Sequence, residues 1–265
     1  MEQYTALIVD IEASRQYSTQ ERNQLQDRIV GVIQALNLAF SSSLAKAVEF
    51  SGGDEVQGLF FDDLSAYLYF RLLEIHLLPH HVRGGIGTGT WITRVPARGS
   101  SAQDGPAYHI AREAIAQAHS LKTQSMCLGP LELSNITLNV LINTSLTLRK
   151  GLSPRQLYVL RMLESIYPLN YNGIIDTEAL KPLLTAGMKD KASIIHTNIE
   201  LVYPLTVIPE ERIAIRNMVS ALADYDGSTA QNISNLILKG NLLSIRAIDY
   251  SAACELLGRK GVNIQ

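Results

Sequence analysis

Asp10 and the adjacent pair Asp54 and Glu55 are the residues of this 265-residue sequence whose types and settings best suit chemistry. Asp10 closes a short, nearly unbroken apolar run, residues 4–9, and Asp54-Glu55 follow Gly52-Gly53 between two further apolar runs. Carboxylates held together repel one another, and burial raises their pKa values. A divalent cation removes that conflict. Mg²⁺ prefers one or two carboxylates completed by waters and substrate phosphates, which describes a nucleoside triphosphate site. Two such ions, about 3.5–4 Å apart, would stabilise the attacking and leaving oxygens of phosphoryl transfer. Glycines beside the acids let a phosphate or a base approach the backbone closely. Each feature alone has a plainer meaning: an Asp at a strand end is commonly a cap or loop residue, and Gly-Gly-Asp is common in exposed turns. Only their convergence on one spot brings the metal reading level with the plain one.

That convergence depends on the elements around them. Residues 4–9 have the pattern of a strand buried on both faces. Ser18 and Glu21 form a capping box, followed by Leu25, Ile29, Val32, Leu36 and Phe40 at helical spacing. Residues 45–50 and 56–61 read as strands joined by a diglycine hairpin turn. Asp62-Asp63 can cap a helix with Leu64, Tyr67, Leu68, Leu72 and Ile75 along one face. Residues 82–91 form a Gly-rich strand, and Gly105-Pro106 start a helix bearing Tyr108, Ala111, Ile115 and Ala118. The order β-α-β-β-α-β-α predicts an α+β domain with a split βαβ sheet, ferredoxin-like or palm, and helices packed on one face. In such a sheet the first strand pairs directly with the hairpin, so Asp10 and Asp54-Glu55 would face each other across neighbouring strands.

Arg149-Lys150-Gly151 ends one helical pattern and Ser153-Pro154, with Gln156, opens the next, which divides the chain into 1–150 and 151–265. The second part reads as all-helical, with candidate helices at 153–166, 176–186, 191–203, 209–224, 229–239 and 244–257. Hydrophobic residues make up 46% and charged residues 18%, a balance suited to a buried core and not to disorder. A formal charge of −2 gives no global attraction to nucleic acid or to an anionic membrane. The longest apolar runs are too short to span a bilayer, so no membrane partner is expected. The start lacks the basic and apolar regions of a secretory signal. Cys127 and Cys254 make neither a disulfide framework nor a metal-ligand spacing, so a reducing cytoplasm is expected.

The stretches Val9-Asp-Ile-Glu-Ala-Ser-Arg15, Ser51-Gly-Gly-Asp-Glu-Val-Gln57, Val82-Arg-Gly-Gly-Ile-Gly-Thr-Gly89 and Asp104-Gly-Pro-Ala-Tyr-His-Ile-Ala-Arg112 occur in that order. Together they resemble the SatD family of bacterial proteins. That family is itself similar to the palm-like catalytic domain of class III nucleotidyl cyclases and diguanylate cyclases. The resemblance implies that Asp10 is the first metal ligand, with the carbonyl of Ile11 on the same ion, and that Asp54 is the second ligand. It makes Glu55 a metal ligand or a base near the attacking hydroxyl. Gly52 and Gly53 would border the nucleotide, and Arg15 would reach a phosphate, a task its planar guanidinium suits. The implied cofactor is Mg²⁺ or Mn²⁺ and the implied partner a nucleoside triphosphate. Related palms usually work in pairs, so the resemblance makes a homodimer one candidate state and leaves the oligomeric state open.

The same resemblance exposes a departure. Cyclases carry an Asn and, four residues later, an Arg on the helix after the Gly-rich strand, to stabilise charge developing during transfer. His109 and Glu113 fall at those positions here, and Arg112 falls one residue early, turned roughly 100° away on a helix. Loss of such donors costs about 10²–10³ in rate per group, so binding is favoured over turnover. An active cyclase or nucleotidyltransferase would need donors from a second subunit or from Arg15, Arg83 or Arg112.

SatD-like proteins often append a helix-turn-helix-like segment. Residues 229–236 and 244–248, joined by Lys239-Gly240-Asn241, have that form. The second helix offers chiefly Arg246 to a DNA groove, and this part of the chain carries 11 basic against 11 acidic residues. Packing on the palm or on a second subunit therefore competes with DNA contact. A transcription regulator with a catalytically dead palm and a pure interaction module complete the alternatives.

Overall fold

β1 (Tyr4–Ile11) runs through the middle of a five-stranded sheet of order β2-β3-β1-β4-β5, with β2 at Leu44–Gly52, β3 at Glu55–Phe60, β4 at Val82–Gly89 and β5 at Met126–Gly129. The computed structural model describes residues 2–12, 17–95, 97–121, 124–130, 132–185 and 211–259. β1 pairs antiparallel with β3, from Thr5↔Phe60 to Val9↔Val56, and with β4, from Tyr4↔Gly89 to Ile11↔Val82. β2 and β3 form the expected hairpin, in which Gly53 takes a φ of +61° that a side chain would oppose. This is the ferredoxin-like order that the alternation of patterns predicts.

α1 (Thr19–Ala39) begins at the Ser18–Glu21 capping box, and α2 (Asp63–Leu77) begins at Asp62. Both cover one face of the sheet, where Leu7, Val9 and Ile11 meet Leu25, Ile29 and Leu72. α3 (Pro106–Ser120) differs from expectation. It lies on the opposite face, where Tyr4, Ala6, Ile8 and Leu59 pack against Ala107, Tyr108, Ala111 and Ile115. Helices therefore cover both faces and not one. The reason is local: a central strand apolar at nearly every position must be covered on both sides. The alternating glycines of β4 let α3 sit almost on the backbone, since a Cβ at Gly85 would fall 2.3 Å from the Ala111 carbonyl oxygen.

β5 follows α3 and pairs parallel with β4. Its outer edge is satisfied by α4 (Leu133–Lys150), whose Asn139 and Asn143 bond the backbone of Leu128 and Met126. After Gly151 come α5 (Pro154–Ile166), a 3₁₀ turn at Thr177–Leu180, and α6 (Lys181–Thr185), then α7 (Glu211–Asp226), α8 (Ala230–Lys239) and α9 (Leu242–Arg259). The helix expected at 191–203 lies outside the described residues. α9 packs on α4 and α2, and its Ala252, Ala253, Leu256 and Leu257 share the core of α1 and α2. Arg246 corrects the groove-reading expectation: it is buried, 2.6 Å from Glu164, and donates to the Tyr167 carbonyl. No helix among the described residues is long and apolar enough to cross a membrane.

Candidate functional site

Period-two alternation puts Asp10 on the α3 face of β1, with Ala6 and Ile8. β4 places Arg83 beside it through the pair Asp10↔Arg83. Continuing the β1–β3 register one step past Val9↔Val56 sets Glu55 opposite Asp10 on the other side. Three strands thus contribute Arg83, Asp10 and Glu55 to one row at the end of the sheet. Asp54 occupies the turn just beyond, next to Gly53.

α3 supplies the groups above this row. Arg112 Nη1 stands 3.5 Å from Glu55 Oε1, and Arg112 Nη2 donates to the buried Gln57 at 3.2 Å. His119, two turns further along the same helix face, places Nε2 3.3 Å from Asp10 Oδ2 and Nδ1 3.2 Å from Arg83 Nη1. A guanidinium can only donate, so Arg83 makes Nδ1 the acceptor and leaves the ring proton on Nε2, facing Asp10. Ser51 adds a hydroxyl to Glu55 at 2.5 Å. Outside the row, Glu12 lies 3.6 Å from both Arg83 and Lys150.

The row is electrostatically strained. Burial raises the Asp10 carboxyl above the ordinary aspartate range, and the nearby Asp54 charge raises it further. His119 and the Ile11 N–H pull the other way, and Glu55 adds a smaller push upward. Asp10, Asp54, Glu55 and the carbonyl of Ile11 offer only hard oxygen donors, the set that suits Mg²⁺ or Mn²⁺. Among the described residues, no three His, Cys, Asp or Glu side chains are arranged to hold a metal by themselves. A Cβ at Gly52 or Gly53 would meet nothing within 4 Å among the described residues.

The sequence-derived acids and glycines therefore meet at one end of the sheet, while Arg15 lies outside the described residues. Arg112 corrects the helical-wheel expectation, since it is the side chain of α3 that reaches Glu55. His109 instead sits 3.2 Å from Asp104, ten residues and about 15 Å of helix from His119. Glu113 is exposed. His119 escaped the sequence reading, although its i,i+7 spacing from Arg112 was a usable signal for a shared face.

The fold is similar to that of a bacterial light-regulated adenylyl cyclase, with 16% identity and a TM-score of 0.37 over 48% of this chain and 74% of that one. A second structure of a bacterial light-regulated adenylyl cyclase gives 15% identity and a TM-score of 0.35, again over 48% of this chain, which spans 42% of that protein. No curated protein matches the chain. The SatD family model, in contrast, aligns with residues 4–163, from the first residue of β1 into α5 and so over more than half of the sequence. On that match the chain belongs to the SatD family.

Proposed function

We propose that this SatD protein binds a nucleoside triphosphate through a divalent cation, Mg²⁺ or Mn²⁺, at the carboxylate end of the sheet. Asp10 and Asp54, with the Ile11 carbonyl, hold the ion, and Glu55 completes the oxygen set. When bound, such a cation neutralises the crowded carboxylates and the phosphates together. Gly52 and Gly53 leave room for the nucleotide to approach the turn. Arg83 and Lys150 on one side and Arg112 on the other give the phosphates cationic neighbours. The observation that carries this reading is the crowding of carboxylates at one end of the sheet, where the β1–β3 register sets Asp10 opposite Glu55 with Asp54 in the turn just beyond, and where burial and the Asp54 charge raise the Asp10 carboxyl. A divalent cation would supply the positive charge that offsets this crowding.

The reading is of binding, with low or no turnover. At the positions where cyclases carry their transition-state donors, this chain has His109, engaged with Asp104, and the acidic Glu113. A DNA-reading role for α9 finds less support, because its Arg246 is committed to Glu164 and Tyr167 inside the protein.

Equilibrium binding with Mn²⁺ and a panel of nucleoside triphosphates tests the proposal. Metal-dependent binding is expected in the wild type, weakened about tenfold or more in Asp10→Ala and in Asp54→Ala. Equal binding by all three proteins, or none by any, would refute it.

A further inference from the structure

A cavity of about 800 Å³ lies beside α1, between α1, α5 and α6. Its volume falls in the range of small-molecule sites, and its walls are largely apolar, with Val32, Leu38, Met162 and Leu184 among them. Two arginines, Arg28 from α1 and Arg161 from α5, are its cationic groups. We propose that this cavity binds an organic anion, an apolar body carrying one phosphate or carboxylate, with Arg28 and Arg161 receiving the charged head.

The two guanidiniums lack a counter-charge. Arg28 donates to the carbonyl oxygens of His76 and Leu78, at 2.5 and 3.1 Å, which satisfies N–H groups but supplies no negative charge. Arg161 Nε is buried with no hydrogen-bond partner among the described residues. Among those residues, too, no carboxylate comes within ion-pairing reach of either arginine. Glu164, one turn along α5, is already held by Arg71 and Arg246, and Asp27 stands exposed at the mouth. His76 adds no compensation: burial and the two arginines push its imidazole down to about 3, so it is neutral. Burial also depresses Arg28, to about 10, with Arg161 contributing. Both arginines are half-buried, and cations withdrawn from water are normally paired. An anion in this cavity would pair both.

Gly31 of α1 also lines this cavity. It stands in the interior of α1, where glycine is unfavourable, yet a Cβ there would meet nothing within 4 Å among the described residues. Packing against the described residues does not require glycine at this position. What its missing side chain does is leave the cavity open.

Equilibrium dialysis in EDTA with 1-naphthyl phosphate and 1-naphthoate tests the inference, with 1-naphthol and inorganic phosphate as controls. At least one charged naphthyl probe is expected to bind the wild type more tightly than naphthol does, and the better of the two names the head group. Gly31→Leu should melt at or above the wild-type temperature and lose binding, because its side chain occupies the cavity. Arg161→Leu should weaken binding about tenfold or more without lowering the Tm, since it removes a half-buried cation that has no carboxylate partner among the described residues. Asp10→Ala should bind the probe as the wild type does, which separates this cavity from the carboxylate site. Three results would overturn the inference: neither anion bound, naphthol bound as tightly as the anions, or undiminished binding by Gly31→Leu. An Arg161→Leu protein that melts well below the wild type would make that arginine structural and overturn its role.

Discussion

Asp10 carries a charge that its surroundings oppose. Its carboxyl is raised by burial and by Asp54, so between the ordinary aspartate pKa and the raised one the folded protein holds more protons than the unfolded chain. Stability therefore falls as pH rises through that window and stays lower above it. Asp10→Asn keeps the shape and can still accept the His119 proton, but it removes the charge. At pH 7 the variant is expected to be more stable than wild type by about 0.5–2 kcal/mol, a typical gain on neutralising a functional position. The difference should shrink as the pH drops to about 4, and thermal melts at the two pH values check it. At this scale the acids were legible because a strand end and a diglycine turn each leave a local mark. Arg112 and His119 were not, because the rotation of α3 about its axis is set by its packing on β1 and β4, which no local pattern of α3 alone records.

Among the elements, the contact of β4 with α3 decides whether those two side chains arrive. A Cβ at Gly87 would lie 2.3 Å from the Ala111 nitrogen and 2.6 Å from the Ala107 carbonyl oxygen, both main-chain atoms that cannot rotate away. Gly87→Ala must push α3 off the sheet. A destabilisation of about 1–3 kcal/mol is expected from such overpacking, together with weaker metal-dependent nucleotide binding as Arg112 and His119 retreat. Denaturant melts and the binding titration read the two effects separately. A Gly87→Ala protein as stable as the wild type would mean that the helix approaches the sheet less closely than described. The strand itself was legible from composition, and Gly85, Gly87 and Gly89, alternating at period two, carried the hint that one face receives a helix backbone. The capping boxes at Ser18 and Ser153 likewise declared their helices. β5 did not declare itself. It has four residues, and what holds it are β4 on one side and the amides of Asn139 and Asn143 on the other, both distant in sequence.

For the molecule as a whole, the deciding feature is a buried ionic network that no sequence pattern announced. Arg71 of α2 binds Glu164 of α5 through two parallel bonds of 2.6 and 2.7 Å and reaches Asp249 of α9 at 2.6 Å. Arg149 of α4 joins Asp249 at 2.8 Å and Glu74 at 2.8 Å, and Arg246 closes on Glu164. Charged residues read as surface in a sequence, because isolated charges rarely survive burial. Here three arginines and three acids neutralise one another across the Gly151 helix stop and connect the palm to the terminal helices. Glu164 shows what the network does energetically. Burial works against its ionisation, yet Arg246 and Arg71 overcome that and hold its carboxyl down at about 2. A depressed folded pKa means stability that is fully present above the unfolded value of about 4.3 and lost as pH falls toward 2. Glu164→Ala leaves Arg71 and Arg246 short of a partner, and the expected cost at pH 7 is about 3–5 kcal/mol. The variant should also lose less stability than the wild type between about pH 4.5 and 2, because the titrating group that drives that loss is gone. Urea melts across this range measure both quantities. Equal stability of variant and wild type at pH 7 would show that the network contributes nothing to holding the helices on the palm.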